Sequence, residues 1–193
     1  MREGGWLFIL GLALVLGGSW QASRIQTAGR IAVQDIRFRS AAGTAMSALL
    51  YVPPGATTAK PAPGILAVHG YINSRETQDG FAIEFARRGY VVLALDQTGH
   101  GYSGGPAFSV GFGGPAGLAY LRSLPMVDKA NIGLEGHSMG GWTVLAAAAA
   151  MPDAYRAMVL EGPSAPDMCN DHWWTLEIWI GSSPLLSWIR NTP

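Results

Sequence analysis

Apolar stretches alternate with polar and glycine-rich stretches along most of the chain, and their periodicity predicts strands alternating with helices. Residues 31–39 and 44–52 alternate between apolar and polar positions, as half-buried strands do. Residues 64–68 and 90–95 are short, continuously apolar runs, which are typical of parallel strands buried on both faces. This order predicts an α/β fold with a mostly parallel sheet flanked by helices. Further strands are predicted at residues 130–134 and 157–160, and helices at residues 77–88, 117–124 and 142–151.

The beginning of the chain has a different pattern, because residues 4–23 contain no charged side chain. A helix of about 20 residues, with a rise of about 1.5 Å each, spans about 30 Å, the thickness of a bilayer core. Trp6 and Trp20 lie near its two ends, where membrane helices often carry aromatic residues. We therefore predict a single membrane-spanning anchor in residues 1–23. A cleaved signal peptide and a buried core helix are the alternatives, and the large Trp20 makes Trp20-Gln21-Ala22 a poor cleavage site.

The rest of the chain divides into three further segments by composition. The polar residues 24–30 are predicted to form a linker, residues 31–162 a folded core, and residues 163–193 a tryptophan-rich cap or lid. The chain has 13 basic and 13 acidic side chains, a balance that does not favour nucleic acid as a partner. The single cysteine, Cys169, allows no intramolecular disulfide and is expected to be a packed side chain. No set of metal ligands and no cofactor motif is visible, so we expect neither group.

The strongest functional signal is the segment Gly136-His137-Ser138-Met139-Gly140, between a predicted strand and a predicted helix. Such a sharp turn forces the serine into a strained backbone conformation and raises its hydroxyl above the sheet. Gly136 and Gly140 leave room for the turn, because side chains there would collide with the neighbouring strand and helix. The sequence therefore predicts Ser138 as a nucleophile, with the helix amino terminus beside it.

Two further loops follow predicted strands and would lie at the same edge of the sheet. His69-Gly70-Tyr71 follows the first buried strand, and acyl transfer needs two N–H donors for the developing oxyanion. We expect these donors to be the backbone N–H groups of Met139 and Tyr71, with His69 holding the loop; a catalytic-base role for His69 is the alternative. The second loop begins at Asp96 and continues through Gly99-His100-Gly101. Asp96 and His100 are expected to brace the loops beside the site rather than to form a relay with Ser138.

The order of these three motifs resembles the α/β-hydrolase superfamily, and is similar to its bacterial esterase, lipase and peptidase-like branches. The resemblance covers about residues 31–161 and is specific for the superfamily but weak for the substrate. It implies a serine hydrolase that cleaves carboxylic ester, thioester or amide bonds through an acyl-enzyme on Ser138. It also implies the oxyanion donors Met139 and Tyr71. The tryptophans of the predicted cap are expected to border an apolar acyl pocket, so the expected substrate is an apolar acyl compound. The residues expected in supporting roles are His69, Gly70, Gly136, His137, Gly140, Asp96 and His100.

The chain departs from that family in one respect, because the acid and base of the triad should both follow Ser138. The residues after 161 do not have the pattern of two further strand–helix units, and their one histidine, His172, lies in the predicted cap. We therefore expect a chain truncated before the second half of the catalytic domain. The alternatives are a non-catalytic membrane-attached binding module and an acyl transferase with an acceptor other than water. The expected location is a membrane, with the core on the extracytoplasmic side, or outside the cell after signal cleavage.

Overall fold

The computed structural model of the chain describes residues 3–27, 30–107 and 109–162. A six-stranded sheet forms its centre, with the strand order β1-β2-β4-β3-β5-β6. The first two strands form an antiparallel hairpin, and β3, β4, β5 and β6 run parallel to one another. The strands are β1 Ala32–Arg39, β2 Ala45–Val52, β3 Ala62–Val68, β4 Val91–Leu95, β5 Val127–His137 and β6 Ala157–Glu161; the helices are α1 Glu3–Gln26, α2 Asp79–Arg87, α3 Gly114–Ser123 and α4 Met139–Ala150.

Helices cover both faces of this sheet, as the alternating sequence pattern predicts. On one face, Leu66 and Val68 of β3 pack in a cluster that includes residues of α3 and α4. On the other face, Ile65 and Ala67 pack with residues of α2. Because successive strand residues point to opposite faces, the apolar run of β3 supplies both layers of the core. The fold is thus the predicted α/β architecture with a mostly parallel sheet.

Three elements begin earlier in the chain than the sequence pattern predicts. Strand β5 begins at Val127 instead of residue 130, because Ala62 pairs with Val127 before the register shifts after Pro63. Helix α3 begins at Gly114, where Pro115 suits a first helical turn, rather than at residue 117. Helix α4 begins directly after Ser138 rather than at residue 142.

The amino-terminal helix α1 is long and apolar enough to cross a membrane over Gly5–Gln26, by length and composition, and none of that span is buried against the core. It extends to Gln26 and so includes three residues of the predicted linker. Arg24 lies in its last turn, where a cation interacts favourably with the helix carbonyls. Two hydrogen bonds join this end of α1 to the core: the Arg87 guanidinium donates them to the carbonyl oxygens of Ile25 and Gln26.

Candidate active site

Ser138 occupies the turn between β5 and α4, and its backbone has the strained conformation that the motif predicts. Its φ is 52° and its ψ is −116°, whereas non-glycine residues strongly prefer negative φ. Strain of this kind persists only where the surrounding structure holds it. Here the Ser138 N–H donates a 2.8 Å hydrogen bond to the carbonyl oxygen of Glu161, at the end of β6. The turn is therefore fixed to the neighbouring strand as well as to its own.

The two glycines that flank Ser138 permit this turn by lacking a side chain. A Cβ on Gly136 would overlap the carbonyl oxygen of Gly140. A Cβ on Gly140 would overlap the carbonyl oxygen of Val68, at the end of β3. Strand β5 and helix α4 therefore lie closer together than side chains at these positions would allow. Helix α4 lies equally close to the end of β3.

The loop after β3 lies directly beside the elbow, as the two sequence motifs together predict. A Cβ on Gly70 would lie 3.3 Å from the Ser138 Cβ and 3.1 Å from the His137 Cδ2. Gly70 thus brings the following residue, Tyr71, into the neighbourhood of the serine. The Met139 N–H belongs to the first residue of α4, where no carbonyl of the same helix accepts it. Met139 thus follows Ser138 directly, and the loop that carries Tyr71 lies beside the same serine.

His69 is fully buried and uses both ring nitrogens to hold backbone. Its Nδ1 lies 2.7 Å from the carbonyl oxygen of Gly70, and its Nε2 accepts a 3.2 Å hydrogen bond from the Gln97 N–H. These partners require a neutral imidazole with its proton on Nδ1. Burial lowers the pKa of His69, although the bond to Gly70 and the charge of Asp96 act in the opposite direction. Both ring nitrogens of His69 are therefore engaged with the backbone of two loops.

Asp96 also braces loops, as expected, and its partner is a residue that the sequence did not indicate. Its Oδ1 accepts a 2.8 Å hydrogen bond from the backbone N–H of Arg75, and its Oδ2 accepts one of 3.0 Å from the Tyr102 N–H. The Asp96 carboxylate can lie this close to the loop because residue 101 is a glycine with a φ of 53°. A Cβ at that position would overlap the carboxylate. Both carboxylate oxygens of Asp96 thus accept hydrogen bonds from the loops around it.

Arg75 is 3% exposed and links the hairpin to the loops of the site. Its guanidinium donates to both carboxylate oxygens of Asp35 on β1, at 2.8 and 3.2 Å, and to the Ser47 Oγ and the Ala48 carbonyl of β2. Arg75 lies in a polar stretch of the sequence, and nothing in that stretch indicates that its side chain is buried. Asp35, located 40 positions away, provides the partner that makes its burial tolerable.

His100 and His137 occupy different surroundings near the elbow. The His100 ring lies with its centroid 6.0 Å from that of Tyr71 and 5.6 Å from that of His69, and its Nδ1 lies 3.1 Å from the Thr98 carbonyl oxygen. His137 is half exposed, and its Nδ1 lies 3.7 Å from the Glu161 carboxylate. Both therefore line the edge of the sheet where the loops meet.

Glu135 lies two residues before His137 on the same face of β5, and sequence reasoning did not single it out. Its side chain is 2% exposed, and neither carboxylate oxygen has a hydrogen-bond partner among the described residues. Burial, followed by the charge of Glu161, raises the pKa of Glu135 to about 8. The sequence offered no distinct signal for it, because β5 also carries Asp128, Lys129 and Asn131.

Some of the residues considered in the sequence lie outside the described part of the chain. These are the predicted cap at residues 163–193, with Cys169 and His172. Within residues 3–27, 30–107 and 109–162, no group of three His, Cys, Asp or Glu side chains is placed to hold a metal ion.

Comparison with known proteins places this arrangement in a family. The family model described as the alpha/beta hydrolase fold matches residues 63–179, which include the elbow and both loops. A monoacylglycerol lipase from Mycolicibacterium smegmatis is 35% identical over 108 residues, a match that covers 52% of this chain and 37% of the lipase. The match thus spans little more than a third of the length of that relative.

Solved structures show the same fold. A hypothetical protein from Pseudomonas aeruginosa is 26% identical, with a TM-score of 0.60, over 68% of this chain and 42% of that one. An esterase from Pyrococcus furiosus is 21% identical, with a TM-score of 0.59, over 80% of this chain and 64% of the esterase. With the elbow, the loop after β3 and the strand order, these matches show that the chain belongs to the α/β-hydrolase family.

Proposed function

We propose that this protein is a serine hydrolase that cleaves carboxylic ester, thioester or amide bonds through an acyl-enzyme on Ser138. The observation that carries the proposal is the positive φ of Ser138 at the turn from β5 into α4, with Gly70 packed against it. A strained serine at the end of a central strand presents its hydroxyl to a substrate above the sheet.

The proposed chemistry follows from the groups around that hydroxyl. The Ser138 Oγ attacks the substrate carbonyl carbon, and the charge that develops on the carbonyl oxygen is stabilised by the N–H groups of Met139 and Tyr71. The leaving alcohol, thiol or amine departs with a proton, and water then releases the acid from the acyl-enzyme. Gly70, Gly136 and Gly140 allow the close approach of the three segments, while His69, Asp96 and His100 hold the loops and His137 borders the elbow.

A general base is also needed, and the described histidines have other tasks. His69 is buried with both ring nitrogens occupied, and the Nδ1 of His100 lies 3.1 Å from the Thr98 carbonyl oxygen. His137 faces Glu161 beside β6. We therefore place the base and its acid partner outside the described residues.

An apolar carboxylic ester is the first substrate to test, because the matched relative from Mycolicibacterium smegmatis is a monoacylglycerol lipase. We further propose that α1 anchors the protein in a membrane, since its span is long and apolar and none of it is buried against the core.

The decisive experiment is labelling of the full-length protein with a fluorophosphonate, which reacts with activated serines. We expect the unaltered protein to be labelled and Ser138→Ala to lose all labelling. Ser123→Ala, which removes an exposed serine at the end of α3, serves as the matched control and should label normally. Labelling that survives in Ser138→Ala would refute the nucleophile. A folded protein that neither labels nor hydrolyses esters would favour a non-catalytic binding module.

A further inference from the structure

Basic side chains gather at one end of the sheet. The parallel strands β3, β4 and β5 begin there, β2 ends there at Val52, and β1 begins there at Ala32. Helices α2, α3 and α4 run back to the same end. We call it the basic end, and its cationic residues are Arg24, Arg30, Lys60, Arg87, Arg88, Arg122, Lys129 and Arg156.

Acidic side chains do not balance this charge locally. Among the described residues, the acids at the basic end are Glu84, Asp128 and Asp153, and Glu84 pairs with both Arg87 and Arg88. The opposite end, which carries Ser138, has the reverse balance. In the described part of the chain, its cations are Arg37, Arg39 and Arg75, and its acids are Asp35, Glu76, Asp79, Asp96, Glu135 and Glu161. Within residues 30–107 and 109–162, charge is therefore separated along the direction of the strands.

The apolar helix α1 joins the core at the basic end. The Arg87 guanidinium donates to the carbonyl oxygens of Ile25 and Gln26, the last residues of α1. Arg24 lies over the Trp20 ring, 4.8 Å from its centroid, one turn before that end. Tryptophan and arginine together are typical of the level where a membrane helix leaves the lipid. Because the core is hydrogen-bonded to the last residues of α1, the basic end is the part of the core nearest to the end of the span.

We propose that the basic end rests on the headgroups of an anionic bilayer, so that Ser138 faces away from the membrane. The proposal depends on the anchoring role of α1 that forms part of the proposed function. Charge complementarity supports it, because exposed Lys and Arg near an anionic surface each contribute to attraction within a Debye length. The attachment at Arg87 supports it independently, because it holds these cations next to the end of the span.

Site-specific quenching can measure the orientation. A fluorophore is placed on Ala59→Cys, in the loop after β2 at the basic end, or on Ala42→Cys, in the turn before β2 at the opposite end. Both positions are exposed alanines, and the background carries Cys169→Ser, which removes the single cysteine. The full-length protein is reconstituted in nanodiscs of phosphatidylcholine with phosphatidylglycerol, and quenching by a nitroxide on the lipid headgroup is recorded.

We expect quenching at residue 59 to be about twofold or more above that at residue 42, because β2 separates them by about 26 Å. A variant that carries both Lys60→Gln and Lys129→Gln should show weaker quenching at residue 59, close to the value measured in phosphatidylcholine alone. Arg39→Gln, which removes a cation from the opposite end, should leave it unchanged. Equal quenching of the two labels, or stronger quenching at residue 42, would overturn the proposed orientation.

Flotation with liposomes separates this proposal from the anchor on which it rests. Flotation with phosphatidylcholine alone supports the anchor, and the labels then decide the orientation. Flotation that requires phosphatidylglycerol, and is lost in the two-lysine variant, would refute the anchor but retain the basic end as the lipid-binding surface. A protein that floats with neither lipid would overturn both.

Discussion

The Asp96 carboxylate accepts a hydrogen bond from the backbone N–H of Arg75, 2.8 Å away, and this bond joins the loop after β4 to the loop after β3. Both residues are buried, and the Arg75 Nε lies 3.6 Å from the second carboxylate oxygen. The pair therefore connects the loop that carries Tyr71 to the hairpin, through the contacts of Arg75 with Asp35 and β2. The position of a proposed oxyanion donor depends on an ion pair outside the site.

We predict that Asp96→Asn lowers the free energy of unfolding by about 2–4 kcal/mol, because it removes a buried negative charge beside Arg75 and turns an amide NH₂ towards a backbone donor. Urea denaturation of the full-length protein measures the change. Asp153→Asn, at an exposed position, is the control and should lie within about 0.5 kcal/mol of the unaltered protein. A stability equal to that of the control would show that Asp96 does not brace the loops.

Gly70→Ala tests the packing of the loop against the nucleophile. The new Cβ would lie 3.3 Å from the Ser138 Cβ, closer than ordinary contact, so the loop or the serine must shift by a few tenths of an ångström. We expect the rate of fluorophosphonate labelling to fall about tenfold, since small misplacements of reacting groups are costly. Gly133→Ala on β5 introduces a Cβ at an ordinary 3.5 Å from Ile65 and should label at the normal rate. Unchanged labelling of Gly70→Ala would separate this loop from the site.

The elbow glycine Gly140 and the helix glycine Gly80 should respond to alanine in opposite directions. A Cβ on Gly140 would overlap the Val68 carbonyl oxygen, so Gly140→Ala should destabilise the fold by about 3 kcal/mol or more. Gly80, near the start of α2, has open space around it, and Gly80→Ala should stabilise by about 0.5–1 kcal/mol because alanine favours helix. Thermal unfolding monitored by circular dichroism compares the two. Equal shifts of the two variants would contradict the close approach of α4 and β3.

Glu135 makes stability depend on pH. Its pKa is about 8 in the folded state and about 4.5 for the free side chain. Between these values the folded protein keeps a proton that the unfolded chain has lost, so the free energy of unfolding decreases as pH rises from about 4.5 to 8, at most by about 1.4 kcal/mol per pH unit. The decrease ends above pH 8.

Glu135→Gln should abolish this contribution. Urea denaturation at pH 5 and pH 8 would then show that the variant is stabilised relative to the unaltered protein by more at pH 8 than at pH 5. Comparison with the unaltered protein cancels the contribution of His69, whose lowered pKa acts in the opposite sense. Glu84→Gln, at an exposed glutamate whose pKa is lowered by Arg88, is the matched control and should preserve the decrease. The same pH dependence in Glu135→Gln and in the unaltered protein would refute the role assigned to this carboxyl.

The sequence predicted the architecture because each strand and helix has a local signal. The apolar runs of β3 and β4 need both faces covered, and the glycines around Ser138 have a specific steric purpose that the structure confirms. The role of His69 in holding the loop was also predicted, since it follows from the position of His69 at the end of a buried strand.

Arg75 and Glu135 could not be placed in the same way. The burial of an arginine depends on partners such as Asp35 that are distant in the chain, and a polar stretch gives no indication of them. The environment of Glu135 depends on which strand lies beside β5, which is a property of the assembled sheet. The acid and base of the triad, and the predicted cap, stay predictions.

The hydrogen bond from the Ser138 N–H to the Glu161 carbonyl gives β6 a role beyond closing the sheet. The amide proton of the proposed nucleophile can exchange with solvent only when the end of β6 detaches. Its exchange rate is therefore a gauge of how often this strand separates, and each separation releases one of the restraints on the strained backbone of Ser138. The reactivity of the serine is in this way tied to how firmly β6 stays paired with β5.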